Sequence, residues 1–245
     1  EQAWNICKRI KSKCSTSESN LSPLNISLGY ATKQKIQEDI MEILKQAEDS
    51  MYKKKLLESK SLRNSIIASM QKTLYEKSHE TEKHAERLGN NCRKIGMLLN
   101  LSSRQIDELQ LLAVLHDIGK ITINDNVLLK PDTLIEKEWQ EMKKHPEIGY
   151  RILQSVPELS HIARYVLYHH ERWDGKGYPQ GLVGENIPLL SRIIAVVDAY
   201  DAMTNDRLYR KALTVEEAKQ ELINNSGKQF DPKVVDVFVN KILFK

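Results

Sequence analysis

Apolar side chains recur at helical spacing along most of this sequence. In the segment 105–116, Ile106 and Leu109 share one helix face, and Ser102 or Ser103 stands before it as a helix cap. The same spacing predicts further helices over residues 3–14, 134–144, 148–154, 159–170, 189–204, 215–224 and 232–243. Most of the chain is therefore predicted to fold as an all-α domain.

One short segment near the N-terminus breaks this pattern. Residues 24–30 alternate apolar and polar side chains with period two, which is typical of a β-strand, and helical spacing returns from Ile36 onwards. A single strand cannot form a sheet, so we expect its partner strands to be missing on its N-terminal side. The segment is interpreted as a small α/β remnant.

A long helix is predicted to connect this remnant to the all-α domain. No glycine occurs between Ala31 and Leu88, and Leu62, Ile66 and Met70 form an apolar seam on an otherwise polar helix. Two interpretations stay open. The helix either has a solvated face, or it packs against its copy in a dimer that transmits a signal.

Composition narrows the class of protein. Charged residues make up 29% and hydrophobic residues 40%, which is typical of a folded globular protein, and a net charge of +4 is too small to indicate DNA or RNA binding. Three cysteines without a CxxC pair argue against disulfides and predict a cytoplasmic protein. No run of about 18 apolar residues occurs, so no membrane helix is predicted. Because the first residue is Glu1, a membrane anchor in a missing N-terminal part of the parent protein is left open.

Histidines and carboxylates cluster near the predicted helix ends. Glu80 and His84 are four residues apart and share a helix face, and His145 is predicted to end a helix before Pro146. Each residue alone fits an ordinary ion pair or a surface histidine, but together they form a set of nitrogen and oxygen donors without thiolates. Such a set suits Fe, Mn, Co, Ni or Zn. Paired metals activate a water molecule and stabilise the attacking and leaving oxygens when a phosphodiester is hydrolysed. The candidate ligands are Glu80, His84, His116, Asp117, His145, His169, His170 and Asp198, with Lys120, Arg207 and Arg210 as candidate phosphate contacts.

Two motifs make the chain similar to a known family. Residues 116–120 read HDIGK, and residues 169–179 read HHERWDGKGYP, which opens a glycine-rich stretch over 175–184. Together they resemble the signatures of the HD-GYP phosphodiesterases, which hydrolyse cyclic di-GMP. The resemblance covers the chain from about Tyr75 to Leu243. It implies an HD-domain helical bundle with the GYP extension.

The resemblance also implies cofactors and residue roles. It implies that Asp117 bridges two metals and acts with Lys120 in catalysis, and that Glu80 permits a third metal. The implied cofactors are two or three divalent transition metals, with Fe or Mn expected first and Zn, Co or Ni as alternatives. The other implied metal ligands are His84, His116, His145, His169, His170 and Asp198, and the implied substrate contacts are Lys120, Gly177, Tyr178, Pro179, Arg207 and Arg210.

From this resemblance we expect a phosphodiesterase that converts cyclic di-GMP to linear pGpG, and further cleavage to GMP is left open. Two alternatives stay open. In the first, the substrate is another cyclic dinucleotide, such as cyclic GMP-AMP. In the second, the domain is a signalling module that binds a cyclic dinucleotide or a partner protein without turnover. The sequence does not distinguish the bases of the substrate.

The N-terminal part resembles a second family. Residues 25–31 and 44–55 are similar to the C-terminal end of a GGDEF diguanylate cyclase domain, although the GG(D/E)EF turn is absent. We expect a homodimer through the helix over 56–88, with GGDEF or regulatory proteins as further partners. The predicted organisation is a GGDEF-like segment over 1–56, a connecting helix over 57–74 and an HD-GYP domain over 75–245.

Overall fold

The protein is mainly helical in its computed structural model, which describes residues 2–15, 26–35, 37–78, 81–206 and 211–244. The helices are α1 (Gln2–Ser15), α2 (Ile40–Lys77), α3 (Glu82–Leu98), α4 (Ser103–Leu115), α5 (Asp125–Leu128), α6 (Glu136–Met142), α7 (His145–Gln154), α8 (Ser160–Leu167), α9 (Leu189–Thr204), α10 (Val215–Asn224) and α11 (Pro232–Val237). Two 3₁₀ turns, Ile118–Thr122 and Gly184–Asn186, and a π-helical turn, Phe238–Leu243, are also formed. Within the described ranges there is no strand, and the all-α prediction is confirmed.

Local capping signals set several helix boundaries. The hydroxyl of Ser102 accepts a hydrogen bond from the Gln105 backbone, and the Gln105 side chain accepts one from the Ser102 backbone, so a capping box begins α4. Asp231 caps α11 by accepting a hydrogen bond from the Lys233 N–H at 2.8 Å, and Pro232 lies in the first turn. Helices α9 and α10 have the predicted bounds, whereas α8 ends at Leu167, three residues earlier than predicted.

The strand predicted over residues 24–30 is not found in its described part. Residues 24 and 25 lie outside the described residues, and residues 26–30 have no regular secondary structure. The segment lies against α2 instead, because a Cβ atom placed on Gly29 would be only 2.0 Å from the backbone oxygen of Ala47. An alternating pattern gives a strand only where neighbouring strands complete its hydrogen bonds, and a lone strand lacks them.

The chain divides into two compact units, residues 1–67 and 68–245. The apolar core of the second unit forms where α3 packs against α4 and α9. Leu88, Leu112 and Val197 are fully buried there, and each such side chain contributes about 1.5–3 kcal/mol to folding. Across the described residues, every helix is too short or too polar to cross a membrane.

Gly119 allows the 3₁₀ turn after α4 to lie directly against α7. A Cβ atom on Gly119 would lie 1.9 Å from the backbone oxygen of His145 and 2.7 Å from the backbone nitrogen of Gly149. Real side chains do not fit at such separations, so this packing depends on the absence of a Cβ atom. The contact brings Asp117, which precedes the turn, beside His145.

Candidate metal centre

Most of the predicted ligand residues that the structure describes lie near helix ends. His84 lies in the first turn of α3, which Thr81 caps by accepting a hydrogen bond from the His84 N–H at 3.2 Å. His116 and Asp117 follow α4 directly. Helix ends leave backbone groups without partners inside the helix, so side chains there can bond to them. The other predicted ligands among the described residues are His145 at the start of α7, His169 and His170 after α8, and Asp198 within α9.

His145 has a different helical position from the predicted one. The prediction that it ends a helix is wrong, because α6 ends at Met142 and His145 begins α7, with Pro146 in the first turn. Proline is tolerated there because the first N–H groups of a helix have no partner within it. The imidazole therefore lies at the junction of two helices.

Three of the imidazoles are oriented by carbonyl groups at the C-terminal ends of the preceding helices. The Nδ1 atom of His116 lies 3.3 Å from the Ala113 oxygen, that of His145 lies 2.8 Å from the Met142 oxygen, and that of His169 lies 2.5 Å from the Val166 oxygen. Each carbonyl stands three residues before its histidine, among the last groups of a helix. A carbonyl only accepts hydrogen bonds, so each contact places the proton on Nδ1 and leaves the Nε2 lone pair for a ligand.

Asp117 lies between these imidazoles. Its Oδ1 is 3.1 Å from His145 Nε2 and 3.8 Å from His169 Nε2, while its Oδ2 is 3.2 Å from His116 Nε2 and accepts a hydrogen bond from Lys120 Nζ at 2.6 Å. Burial raises the pKa of the Asp117 carboxyl, but nearby positive charge, above all that of Lys120, outweighs it and holds that pKa well below its usual range. Asp117 is therefore an ionised carboxylate able to bridge two cations.

The distance between two imidazoles tests whether this group fits a cation. His145 Nε2 and His169 Nε2 lie 3.3 Å apart, and both of their Nδ1 protons are directed at carbonyls. Two nitrogen lone pairs at this distance repel each other unless a cation lies among them. Burial lowers the pKa of His169 to about 4, so this imidazole is unprotonated near neutral pH. The arrangement fits a divalent metal ion.

The ligand atoms form two groups that meet at His116 and Asp117. In each group the ligand atoms lie within 4.8 Å of one another. Neutral imidazoles and ionised carboxylates are the donors that Fe, Mn, Co, Ni and Zn accept. The residues present therefore fit divalent metals, with each group able to hold one ion. The first group is Asp117, His145, His169 and His170, and the second is His84, His116 and Asp198.

Two residues that sequence reasoning missed orient His84. Asp201 accepts a hydrogen bond from His84 Nδ1 at 2.7 Å, and it also binds Arg87 through contacts of 2.5 and 2.8 Å. The Nε2 atom of His84 is thereby directed at Asp198, 3.6 Å away. Burial raises the pKa of Asp201, but the bonds from Arg87 and His84 keep it below its usual value. Arg87 lies three residues after His84, and Asp201 lies three residues after Asp198, so each shares a helix face with a predicted ligand. This spacing was the signal that the sequence offered.

The GYP segment borders the metal centre through Tyr178. The Tyr178 ring stacks on His170 with 4.9 Å between centroids and 28° between planes. Gly177 packs against the backbone instead, since a Cβ atom there would lie 2.3 Å from Arg172 N, and Pro179 is half-buried. The buried Glu171 carboxylate, another residue that sequence reasoning missed, accepts backbone hydrogen bonds at 2.7 and 3.0 Å from Gln180 and Leu182.

A cavity of about 750 Å³ opens onto the two donor groups. Its size is suited to a small-molecule ligand. Lys120 and Tyr178 line it together with ligand residues of both groups. Glu80, Arg207 and Arg210 lie outside the described residues, so their predicted roles stay predictions.

The sequence matches known proteins across this region. A family model described as HD domain matches residues 65–234. The chain is 44% identical over 162 residues to a cyclic di-GMP phosphodiesterase of Thermotoga maritima, an alignment covering 65% of this chain and 44% of the relative. It is 43% identical over 161 residues to the cyclic di-GMP phosphodiesterase response regulator RpfG of Xanthomonas campestris, covering 65% of this chain and 43% of that one.

Other relatives carry a different substrate in their names. A 3'3'-cGAMP-specific phosphodiesterase of Vibrio cholerae is 35% identical over 176 residues, covering 71% of this chain and 34% of the relative. The crystal structure of a cyclic GMP-AMP specific phosphodiesterase of the same species has a TM-score of 0.58 at 23% identity, covering 73% of this chain and 48% of that one, which shows a shared fold. This chain spans less than half the length of each of these relatives.

Proposed function

Because this chain belongs to the HD-domain family, we propose that it is a metal-dependent phosphodiesterase that hydrolyses cyclic di-GMP to linear pGpG, with further cleavage to GMP left open. The observation that carries the proposal is the pair of donor groups joined at His116 and Asp117 beside a cavity of about 750 Å³. Relatives named cyclic di-GMP phosphodiesterases, at 44% and 43% identity, support the choice of substrate.

The proposed cofactors are two or three divalent transition metals, with Fe or Mn preferred over Zn, Co or Ni. The two donor groups would each hold one ion, and the third would depend on Glu80. Bound metals supply an activated water and neutralise the charge that develops on the phosphate. The proposal assigns the chain's own residues the tasks of holding these ions and placing the phosphodiester.

Lys120 has two tasks in this proposal. Its Nζ donates a hydrogen bond to Asp117 Oδ2 at 2.6 Å, which keeps the carboxylate ionised. It also lines the cavity, so its positive charge stabilises negative charge that develops on a phosphate bound there. Arg207 and Arg210 are proposed to contact the substrate phosphates from the segment that follows α9. Tyr178 is proposed to border the nucleotide from the GYP segment, with Gly177 and Pro179 shaping that segment.

A second substrate is supported by a specific observation. The Vibrio cholerae relative named as specific for 3'3'-cGAMP is 35% identical to this chain over 176 residues. Cyclic GMP-AMP differs from cyclic di-GMP only in one purine base, so the same metal chemistry serves both. We therefore propose cyclic GMP-AMP as the alternative substrate.

One assay tests the proposed function and separates its alternatives. Purified protein is prepared without oxygen, loaded with Mn²⁺ or Fe²⁺, and incubated with cyclic di-GMP or cyclic GMP-AMP before chromatography of the products. We expect pGpG from cyclic di-GMP, and no turnover by a His116→Ala/Asp117→Ala variant. Tight binding of either dinucleotide without turnover under any tested metal indicates a non-catalytic signalling module. Full activity of the double variant excludes the proposed metal centre.

The proposed organisation places a GGDEF-like remnant over 1–56, a connecting helix over 57–74 and the catalytic domain over 75–245. We also propose that this chain is cytoplasmic and forms a homodimer through its connecting helix, where Leu57 and Leu62 are both at least half exposed. Light scattering at tens of micromolar should give the mass of a dimer for wild type and of a monomer for Leu62→Glu. A monomeric wild type contradicts this part of the proposal. GGDEF or regulatory proteins are the proposed further partners.

A further inference from the structure

One wall of the cavity is apolar and includes an exposed aromatic ring. Leu128, Trp139 and Met142 line the cavity that opens onto the candidate metal centre. Trp139 lies in α6 and remains 41% exposed, although indole rings in protein interiors are usually mostly buried. This ring belongs to none of the residue roles assigned above.

A series of ring contacts joins Trp139 to the metal centre. The Trp139 and Tyr178 rings form a T-shaped pair, with 6.3 Å between ring centroids and 78° between planes. Tyr178 in turn stacks on His170, a member of the first donor group. The indole is therefore separated from a candidate metal ligand by a single aromatic residue. A nucleotide whose phosphate lies at the metal centre extends its ribose and base over a comparable reach.

We propose that Trp139 stacks against a purine base of the cyclic dinucleotide whose phosphodiester lies at the metal centre. The inference rests on the proposed function, and it adds a base-binding subsite to it. Aromatic side chains bind nucleobases through their faces, and this stacking does not require hydrogen bonds that identify the base. A subsite of this kind accepts guanine and adenine alike.

The surroundings of Trp139 are compatible with this occupant. Leu128 and Met142 supply apolar surface beside the indole, which favours a flat base over a hydrated group. The Lys143 ammonium lies 6.0 Å from the indole centroid, within the range of a cation–π contact. Its flexible four-carbon stem allows it to move aside when a base stacks on that face.

Three substitutions at Trp139 separate stacking from simple packing. Trp139→Phe keeps an aromatic face, Trp139→Leu keeps apolar volume without one, and Trp139→Ala removes both. Ile135→Ala is the matched control, because Ile135 is 60% exposed at the start of the same helix and does not line the cavity. Circular dichroism melting curves establish that each variant is folded before binding is measured.

The decisive measurement is the effect on KM and kcat for cyclic di-GMP. We expect Trp139→Ala and Trp139→Leu to raise KM by about 5- to 150-fold, with kcat changed less than twofold. The KM of Trp139→Phe should remain within about threefold of the wild-type value, and the KM of Ile135→Ala should equal the wild-type value. If Trp139→Leu has the same KM as Trp139→Phe, or if Trp139→Ala has an unchanged KM, the proposed subsite is overturned.

The same variants distinguish failure of the subsite from failure of the proposed function. If wild type binds cyclic di-GMP without hydrolysing it, isothermal titration calorimetry gives a dissociation constant, and the Phe, Leu and Ala variants are compared on that constant. The subsite then stands or falls separately from the catalytic proposal. A wild type that neither hydrolyses nor binds cyclic di-GMP overturns both proposals.

Discussion

Gly119 offers a sharp test of how the fold holds the metal centre together. The 3₁₀ turn Ile118–Thr122 lies against α7 only because Gly119 has no Cβ atom. In Gly119→Ala the new methyl group would lie 1.9 Å from the His145 oxygen and 2.7 Å from the Gly149 nitrogen. Both are backbone atoms, so no side chain can rotate to relieve the overlap. The turn and α7 must separate.

The size of this movement sets the expected effect. Restoring an ordinary carbon–oxygen contact of about 3.3 Å requires the two backbones to part by about 1.4 Å. Overpacking of this kind costs about 1–3 kcal/mol of the free energy of unfolding, and we expect the upper end here. The contact between Asp117 Oδ1 and His145 Nε2, now 3.1 Å, opens with it. A displacement near 1 Å costs about 100-fold in turnover.

Gly89→Ala is the matched control for the same substitution. Gly89 lies within α3, and a Cβ atom there meets nothing within 4 Å. Alanine is about 0.5–1 kcal/mol better than glycine in a helix interior, so this variant should be stabilised. Urea denaturation gives the stability of both variants, and metal analysis after gel filtration gives the bound ions per chain. Equal stability and equal metal content in the two variants would refute the reasoning.

Two further substitutions test how the ligands and the GYP segment are held. Asp201→Asn removes the charge that orients His84, so we expect metal affinity by titration to fall about 10- to 100-fold, while the exposed Asp236→Asn leaves it unchanged. Unchanged affinity in the first variant means that Asp201 does not position the ligand. Glu171→Gln replaces a carboxylate that accepts two backbone hydrogen bonds, so urea denaturation should show a loss of about 1–3 kcal/mol, against little change for the exposed Glu185→Gln. Equal stabilities in this pair would contradict the role of Glu171.

The helices and the donor residues were accessible from sequence because their signals are local. Apolar spacing and capping residues predicted α4, α9 and α10 closely, since short-range contacts determine where those helices begin and end. The motif 116–120 fixes His116 and Asp117 next to each other by covalent order alone. Local signals therefore predicted which residues carry the chemistry and roughly where they lie.

Features that depend on long-range packing were missed. The bond between His84 and Asp201 joins residues 117 positions apart, and nothing in either segment identifies its partner. In the sequence, Trp139 is one apolar residue of a predicted helix, and only the fold places it beside Tyr178. The predicted strand failed for a related reason, because period-two alternation describes one chain segment and does not supply the neighbouring strands it needs.

The most direct test of the central claim is a metal add-back titration on stripped protein. Chelated, metal-free protein is titrated with Mn²⁺ or Fe²⁺ without oxygen, and bound metal per chain is measured beside the initial rate of cyclic di-GMP hydrolysis. Because the two donor groups meet at Asp117, we predict no hydrolysis in the stripped protein, with full activity once two or more ions are bound. Hydrolysis that persists without metal, or a loaded protein with two ions that leaves cyclic di-GMP intact, would contradict the account.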